Sequence, residues 1–300
     1  MVYNYAREPK NIIQSETRDI YVFSINGENI DEQVISDFGE EWSKFNYFAD
    51  KVINDMAEEY FDILNDEIVN QHTYAIDIGC GTGRWTKYIA SKAGFVEAVD
   101  PSDAIFVADR LLADVKNVRL SKASVDTLPF DDEIFDFAMS IGVLHHIPDT
   151  PKALMECVKK IKKGGYFYVY LYYNLDRRGS IFKILFRAAD LLRNVVSKLP
   201  SKIKRAVCDI LAVLIYMPLI LLSRLLSYIN LKRFAQKIPL SAYNNKPFFV
   251  IRNDALDRFG TRLEQRFSKR EVKEMMERAG LSEIVVSNGI PFYHAIGKKI

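Results

Sequence analysis

Short apolar runs and helical repeats divide the chain into segments. Apolar runs at 75–78, 94–99 and 134–141 each lead into glycine, proline or acidic residues, which is typical of buried strands that end in loops. Before them, apolar residues at 48, 52 or 53, 56, 60 and 63 or 64 recur at three- and four-residue steps. The pattern therefore predicts buried strands preceded by a helical front end.

A second helical region covers residues 176–237. Its first helix, 180–199, is predicted to be amphipathic and basic. The polar side holds Lys183, Arg187, Asp190, Asn194 and Ser197, and the apolar side holds Ile181, Ile184, Leu185, Ala188, Leu192 and Val195. Pro200 ends this helix, and Ser201 is a candidate N-cap for the next one.

An uncharged stretch runs from Ile210 to Leu222. A membrane-spanning helix needs about 20 apolar residues, so this run is too short to span and fits a buried or interfacial helix. Pro218 is expected to kink it. We therefore predict a helical hairpin with an apolar inner face and a basic rim. It is either a lid over a bulky ligand, a surface that contacts anionic lipid, or a hairpin that packs on its own domain or a second copy.

The charge of the chain is unevenly distributed. The 300 residues carry a net charge of +2, but residues 177–237 hold 13 basic and 2 acidic side chains, so this segment is +11 and the remainder is −9. Acidic residues concentrate between Glu28 and Glu67. The basic residues alternate with aliphatic rather than aromatic ones, which weighs against nucleic acid as a partner.

Composition and cysteine usage favour a globular protein in a reducing compartment. The chain is 49% hydrophobic and 27% charged, which allows a full core. Its cysteines, Cys80, Cys157 and Cys208, are odd in number and widely spaced, so neither a disulfide framework nor a metal site is expected. The first residues lack the apolar segment of a secretory signal. We expect a cytoplasmic protein, with peripheral contact at the inner face of the membrane through 179–237 as a further possibility.

Three glycines at alternate positions follow the first buried run. Gly79, Gly81 and Gly83 allow a sharp turn and bring bare backbone against a ligand. The third glycine of a dinucleotide fingerprint would fall on Arg84, which weakens a dehydrogenase interpretation. The stretch also lacks the Gly-Lys-Ser/Thr ending of a triphosphate-binding loop. Asp100 lies about 20 residues further on, where a carboxylate can accept hydrogen bonds from ribose hydroxyls, so a nucleoside ligand is indicated.

Five motifs in order resemble the class I S-adenosylmethionine-dependent methyltransferases, and in particular the type 11-like subgroup with a Leu-His-His-Ile loop. The motifs are Asp77-Ile-Gly-Cys-Gly-Thr-Gly83, Val99-Asp-Pro-Ser102, Leu128-Pro-Phe130, Phe135-Asp136 and Val143-Leu-His-His-Ile147. The resemblance covers roughly residues 70–175.

The resemblance implies an α/β fold with a doubly wound, seven-stranded, mostly parallel sheet whose last strand is antiparallel. Four segments are expected: an acidic helical extension or cap at 1–70, the S-adenosylmethionine-binding core at 71–175, the helical insertion at 176–237, and the end of the fold at 238–300.

The resemblance also implies roles for residues near S-adenosylmethionine. Asp77 would orient the glycine loop and the amino group of the cofactor, and Asp100 would take the ribose hydroxyls. The backbone of the glycine turn would approach the methionine and ribose portions. The other expected cofactor contacts are Gly79, Cys80, Gly81, Gly83, Pro101, Ser102, Ser124, Val125, Ser140, Ile141 and Gly142. Many relatives have an aspartate where this chain has Ser124.

The acceptor side is expected at the His-His loop. His145 and His146 are candidate bases, because an imidazole can accept a proton near neutral pH, but either could only shape the loop. Tyr172, Tyr173 and Asn174 are candidate acceptor-lining residues. Trp42, in a Phe-Gly-x-x-Trp element, would lie over the cofactor or serve as a core contact.

The predicted function is methyl transfer to a small or amphiphilic acceptor, such as a sugar, a quinone-like ring or a lipid-linked molecule. A tRNA-modifying methyltransferase and a non-catalytic S-adenosylmethionine-binding subunit are the alternatives. The sequence does not indicate an oligomeric state.

Overall fold

A computed structural model describes residues 4–25, 27–42, 50–174, 179–289 and 293–300, without the side chains of 41–42 and 180–183. Its strands are β1 Asn11–Gln14, β2 Asp19–Val22, β3 Tyr74–Ile78, β4 Phe95–Val99, β5 Val118–Lys122, β6 Phe135–Ile141, β7 Ile161–Tyr170, β8 Leu281–Val286 and β9 His294–Lys299. Its helices are α1 Glu32–Trp42, α2 Asp50–Tyr60, α3 Arg84–Ala90, α4 Ala104–Leu111, α5 Thr150–Lys159, α6 Ser180–Val196, α7 Ser201–Leu211, α8 Met217–Tyr228, α9 Lys232–Ala235, α10 Phe248–Gly260 and α11 Lys269–Arg278.

All described strands join one sheet in the order β1-β2-β5-β4-β3-β6-β7-β9-β8. The strands from β5 to β7 run parallel, and β9 runs antiparallel to β7, as expected. Alternate residues of a strand pack into two apolar cores, one on each face of the sheet. In β3, Ile76 and Ile78 belong to one core and Ala75 belongs to the other. Helices therefore cover both faces of a buried parallel sheet, which confirms the doubly wound α/β fold.

The sheet has nine strands in the described residues, so the expected number of seven is wrong. The additional pair is the antiparallel hairpin β1–β2, whose second strand pairs with β5 at the edge of the sheet. This hairpin lies within residues 1–70, which were expected to be helical. Its turn is fixed by Asp109, whose carboxylate accepts a hydrogen bond from the backbone N–H of Thr17 at 3.1 Å and lies 3.5 Å from the Arg18 guanidinium. These contacts join residues about 90 positions apart in the sequence, so no local sequence pattern predicts the hairpin.

A buried ion pair links the middle strands to the amino terminus. The carboxylate of Glu97 on β4 is fully buried and accepts hydrogen bonds from Arg119 at 2.7 and 2.9 Å and from the Tyr74 hydroxyl at 2.5 Å. The Arg119 guanidinium lies 4.0 Å from the centre of the Tyr5 ring. Three strands and the amino-terminal segment therefore share one charged contact.

The first prediction concerns this pair. Glu97→Ala would leave the Arg119 guanidinium without its buried counter-charge, so we expect the free energy of unfolding to fall by about 3–5 kcal/mol. The exposed pair Glu156–Lys159, at 2.7 Å, is the control, and Glu156→Ala should cost less than about 1 kcal/mol. Urea unfolding of both variants makes the comparison. Equal losses would contradict a structural role for the buried pair.

The chain forms two compact units, residues 1–174 with 265–300, and residues 175–264. The first unit holds the sheet. The second ends at Glu264 rather than at residue 237, because α10 packs against α6 and α7. Its core includes Cys208, Tyr216 and Phe259.

Residues 201–228 of the second unit form one continuous helix through Pro218. A π-helical turn, Ala212–Tyr216, lies between α7 and α8 directly before the proline. Such a turn is a common way for a helix to accommodate a residue that lacks a backbone N–H. By length and composition this 28-residue helix is apolar enough to cross a membrane, and only 28% of its most apolar window is buried.

The second unit has an apolar core, but the predicted apolar side of α6 is wrong for most of its described side chains. Ile184, Leu185 and Val195 of α6 are exposed, whereas Arg193 and Ser197 are buried. Arg193 can be buried because it donates to the backbone oxygens of Thr261 and Arg262 and pairs with Asp190. These polar bonds lie beside an apolar core that includes Val196 of α6, and other aliphatic side chains of the same helix remain exposed.

Candidate active site

The glycine turn follows β3 at the carboxyl edge of the sheet. Gly79, Gly81 and Gly83 all have positive φ, at +81°, +53° and +81°, a conformation that favours glycine. The backbone N–H groups of Gly79 and Cys80 donate to the Val99 oxygen at 2.7 and 3.0 Å. The turn is thereby fixed to the end of β4.

The three glycines are required for different reasons. A Cβ on Gly79 would lie 2.4 Å from a methyl group of Val143, and one on Gly83 would lie 3.1 Å from the Cβ of Ala108. A Cβ on Gly81 would have no heavy atom within 4 Å. Gly79 and Gly83 therefore serve packing, whereas Gly81 presents bare backbone to open space. That open cradle fits the close approach of a nucleoside ligand such as S-adenosylmethionine.

Asp100 joins the glycine turn to the loop after β4. Its Oδ2 accepts from the Gly81 N–H at 2.8 Å, and its Oδ1 accepts from the backbone N–H and hydroxyl of Ser102 at 2.8 and 2.6 Å. Burial raises the pKa of this carboxyl, although the hydrogen bonds oppose the effect. A carboxylate offers about four lone-pair positions, so capacity is left for a ribose hydroxyl.

Asp77 lies within the same edge, almost fully buried. The Thr86 hydroxyl of α3 donates to its Oδ2 at 2.6 Å. Burial, assisted by the nearby charge of Asp100, raises the pKa of Asp77 to about 7. Asp77 therefore links the end of β3 to α3 and would become a better partner for a cation as pH rises.

The other expected cofactor contacts lie around these two carboxylates. Ser102 is buried and Pro101 is half-buried. The Ser124 hydroxyl bonds Thr127 at 2.9 Å, and Val125 joins the core. Burial raises the pKa of the Cys80 thiol well above its usual value, which keeps it protonated.

The residues at the end of β6 have two roles: some pack against the rest of the sheet, and one has free space beside it. The Ser140 hydroxyl donates a hydrogen bond to the Ile78 backbone oxygen at 2.8 Å. This bond links β6 to β3 and uses the hydroxyl hydrogen, which is then not available to a methyl-acceptor substrate. Ile141 is buried. Gly142 has φ +78° and its nearest neighbour to an added Cβ is 3.9 Å away, on the Tyr170 ring. Space is therefore present at Gly142.

His145 and His146 are both buried in the turn after β6. Among the described residues, neither ring nitrogen of His145 has a hydrogen-bond partner. Burial, with the nearby charges of His146 and Arg266, lowers the pKa of His145 well below its usual value. His145 is therefore a neutral imidazole at physiological pH, with hydrogen-bonding capacity that the described residues do not use.

A row of aromatic rings extends from this loop to the glycine turn. The row consists of Phe38, His146, His145, Tyr172, Tyr170, Tyr60 and Trp85, with ring-centroid separations of 3.9–5.8 Å between successive members. The Arg266 guanidinium lies 5.2 Å from the centre of the Tyr172 ring. We call these seven residues the aromatic row. Successive rings are tilted by 31–76°. The row lies beside the glycine turn, because Trp85 is in the first turn of α3 and Val143 touches Gly79.

The expected acceptor-lining residues do not all meet there. Tyr172 belongs to the aromatic row, but the Tyr173 ring lies 6.1 Å from Tyr293 and packs against the core. Asn174 is exposed, and its backbone N–H donates to Phe267. The side chain of Trp42 lies outside the described residues.

Sequence reasoning missed Asn29 and the contacts of α1. The Asn29 amide donates to the Asp149 oxygen at 2.8 Å and accepts from its N–H at 2.6 Å, which clamps the end of the His-His loop. Its own N–H donates to Asp126 at 2.9 Å. Two neighbouring residues of α1 contact different loops. Gly39 lies close to the backbone N–H of Asp103, in the loop after β4, and the Phe38 ring packs against His146. The periodic positions from 48 to 64 indicated α2 rather than α1, and a lone asparagine gives no signal.

Comparison with known proteins agrees with this geometry. The family described as "Methyltransferase domain" matches residues 76–169, from β3 to β7. Residues 76–169 are a class I S-adenosylmethionine-dependent methyltransferase domain. The turn with the open Gly81 backbone, Asp100 and the His-His loop all lie within the matched residues.

Two relatives define the extent of the likeness. Demethylmenaquinone methyltransferase of Staphylococcus aureus is 34% identical over 108 residues, which are 34% of this chain and 44% of that protein. The match thus spans less than half the length of this relative. A chain of the complex between the Haloferax volcanii Trm112 methyltransferase activator and its partner methyltransferase has a TM-score of 0.50 and 15% identity, covering 88% of this chain and 97% of that one. The second comparison supports the fold.

The second prediction separates packing from ligand contact at the glycines. Gly79→Ala should lower the free energy of unfolding by about 2–5 kcal/mol, from a strained φ and the collision with Val143. Gly81→Ala should cost only about 1–2 kcal/mol, because its Cβ meets open space. It should nevertheless weaken S-adenosylmethionine binding roughly tenfold or more. Thermal unfolding and calorimetry test this, and undiminished binding by Gly81→Ala would refute the cradle.

The third prediction follows from the raised pKa of Asp77. A cationic ammonium beside Asp77 favours its charged form, so binding must release a proton while Asp77 is protonated. Affinity for S-adenosylmethionine should therefore rise between pH 5.5 and 7, below the usual pKa of an α-amino group, about 7.7–8.0.

Calorimetry in buffers of different ionisation enthalpy measures the proton release. Asp77→Asn should remove both the release and the pH slope. If the slope survives in that variant, Asp77 is not the titrating group, and Asp100 becomes the candidate.

Proposed function

We propose that the protein transfers a methyl group from S-adenosylmethionine to a planar, hydroxylated, quinone-like ring. The aromatic row beside the glycine turn is the observation that carries this proposal. A flat apolar ligand gains contact by stacking on such rings, whereas a sugar needs many polar partners. The likeness to a demethylmenaquinone methyltransferase adds support for a ring acceptor.

When bound, S-adenosylmethionine supplies a methyl group whose bonding electron pair stays on the positively charged sulfur as an acceptor nucleophile forms the new bond. The residues of this chain supply position and a dry environment. Tyr170 and Tyr172 provide apolar contact, and Asn29 holds the His-His loop through Asp149. Proximity and exclusion of water are the main contributions that such a site can make.

His145 is assigned the polar contact with the ring. Its neutral imidazole accepts a hydrogen bond from an acceptor hydroxyl, which draws the proton away and increases electron density on that oxygen and the adjacent ring carbon. The pKa lowered by burial favours this hydrogen-bond role over stable protonation. The ring of His145 is fully buried beside Tyr172, so the contact requires the Tyr172 ring to move aside.

The fourth prediction tests this assignment with a reduced naphthoquinone that lacks the methyl group. His145→Phe keeps an aromatic ring but removes the acceptor nitrogen, so kcat/KM should fall roughly tenfold to hundredfold, the loss expected for a buried hydrogen bond of about 1.4–2.7 kcal/mol. Affinity for S-adenosylmethionine should stay within about twofold. Product is identified by mass spectrometry as the acceptor plus one CH2.

Tyr173→Phe is the matched control, because Tyr173 packs against the core, and its kcat/KM should be unchanged. A His145→Phe enzyme with full activity would remove His145 from the mechanism. Binding of S-adenosylmethionine without transfer to any ring acceptor would contradict the proposed function and favour a non-catalytic subunit. Transfer to tRNA alone would favour the RNA-modifying alternative.

A further inference from the structure

The long helix of residues 201–228 is apolar on its outer side as well as on its inner side. Its buried positions are Lys204, Cys208, Ala212, Tyr216, Ile220 and Ser223, while Ile210 and Leu214 are among the exposed ones. A surface helix of a soluble domain normally buries its aliphatic side and exposes its polar side. The outward side is therefore an apolar surface that the second unit itself leaves uncovered.

The exposed aliphatic residues form a continuous strip. We call Ile210, Val213, Leu214, Leu221, Leu222 and Leu225 the outer strip; each is 43–67% exposed. The spacings 210–214, 214–221 and 221–225, of four, seven and four residues, keep them along one side, over about 22 Å at 1.5 Å per residue. No charged residue occurs from 210 to 223. An exposed apolar surface of this kind is typical of an interaction site.

The charges around the strip have a single sign. Every fully exposed charged side chain among the described residues of the second unit is lysine or arginine, including Lys202, Arg224, Lys232 and Arg233. The acidic residues Asp190 and Asp209 are only half-exposed, and each is paired with an arginine of the same unit. A negatively charged surface is therefore the electrostatic complement.

We propose that the outer strip lies in the interface of an anionic lipid bilayer. An aliphatic side flanked by lysine and arginine is the arrangement by which amphipathic helices bind such membranes. Tyr228, 86% exposed at the end of the strip, and Phe234 beside Arg233 are residues suited to the headgroup level. This inference does not depend on the acceptor proposed above.

A second copy of the chain is a poorer occupant of the strip. A two-fold interface places the same surface on both subunits, so the basic residues around the strip would face each other. Like charges across an interface oppose association, whereas anionic headgroups attract each basic residue.

The helix is inferred to lie along the membrane rather than across it. Its inward side packs on α10, where Asp254 accepts from the hydroxyls of Tyr216, at 2.8 Å, and Tyr243. Arg252 and Asp209 also form an ion pair there. A spanning orientation would carry these charged groups into hydrocarbon, which is costly, while an in-plane orientation immerses only the strip.

The fifth prediction is tested by flotation of the full-length protein with vesicles of phosphatidylcholine alone or mixed with phosphatidylglycerol. We expect binding to the mixed vesicles that weakens with salt. Leu214→Glu with Leu221→Glu should weaken it about tenfold or more. Met155→Glu with Val285→Glu, at exposed apolar positions of the first unit, is the matched control and should bind like the unmodified protein.

Circular dichroism and S-adenosylmethionine affinity should be the same in all variants, because the substituted side chains are exposed. Equal binding by the strip variant and the control would overturn the proposal. So would absence of binding to mixed vesicles, and so would a dimer that the strip variant converts to a monomer.

Orientation is measured with a fluorophore on cysteines introduced at Ile203, Leu214 and Leu225, and with nitroxide quenchers at known depths in the lipid. Similar shallow depths at all three positions are expected for a helix lying in the interface. A deep middle position with shallow ends would show a spanning helix and overturn the in-plane assignment. Failure of methyl transfer would leave these binding results unaffected, so the two proposals are tested separately.

Discussion

The contact between Gly79 and Val143 is the constraint on which the site depends. A side chain at Gly79 would collide with Val143 at 2.4 Å, so the turn after β3 and the loop after β6 can meet only because glycine has no Cβ. That contact sets the His-His loop beside the glycine turn, so the aromatic row lies at the same edge of the sheet as Asp77 and Asp100. The two loops are thus coupled through packing.

The two compact units differ in which side chains they bury and which they expose. In the first unit, apolar strands are buried on both faces, and charged groups such as Glu97 are buried only with their partners. In the second, polar bonds made by Arg193, Tyr216 and Asp254 accompany a smaller apolar core, and many aliphatic side chains are exposed. The exposed aliphatic side chains and the basic surface of the second unit are the two features on which the proposed contact with anionic lipid rests.

Much of the first unit was predictable because its signals are local. The apolar runs at 75–78, 94–99 and 134–141 became β3, β4 and β6, and the glycines took the positive φ angles that only glycine adopts easily. The hairpin β1–β2 was missed, since Asp109 and Thr17 hold it across about 90 residues. Helical periodicity correctly indicated α6 but could not say which side faces inward, because that depends on partners such as Thr261, far away in sequence.

The sequence by itself determined the glycine turn, the position of Asp100 after β4 and the methyltransferase class, because each depends on residue types at fixed short spacing. Only the tertiary structure decided that Gly81 is the open glycine, that Ser140 and Tyr173 serve packing, that His145 is buried and neutral, and that the outer strip is exposed. These properties depend on burial and on partners brought together by folding. Desolvation and packing act between residues distant in the chain, so no local pattern records them.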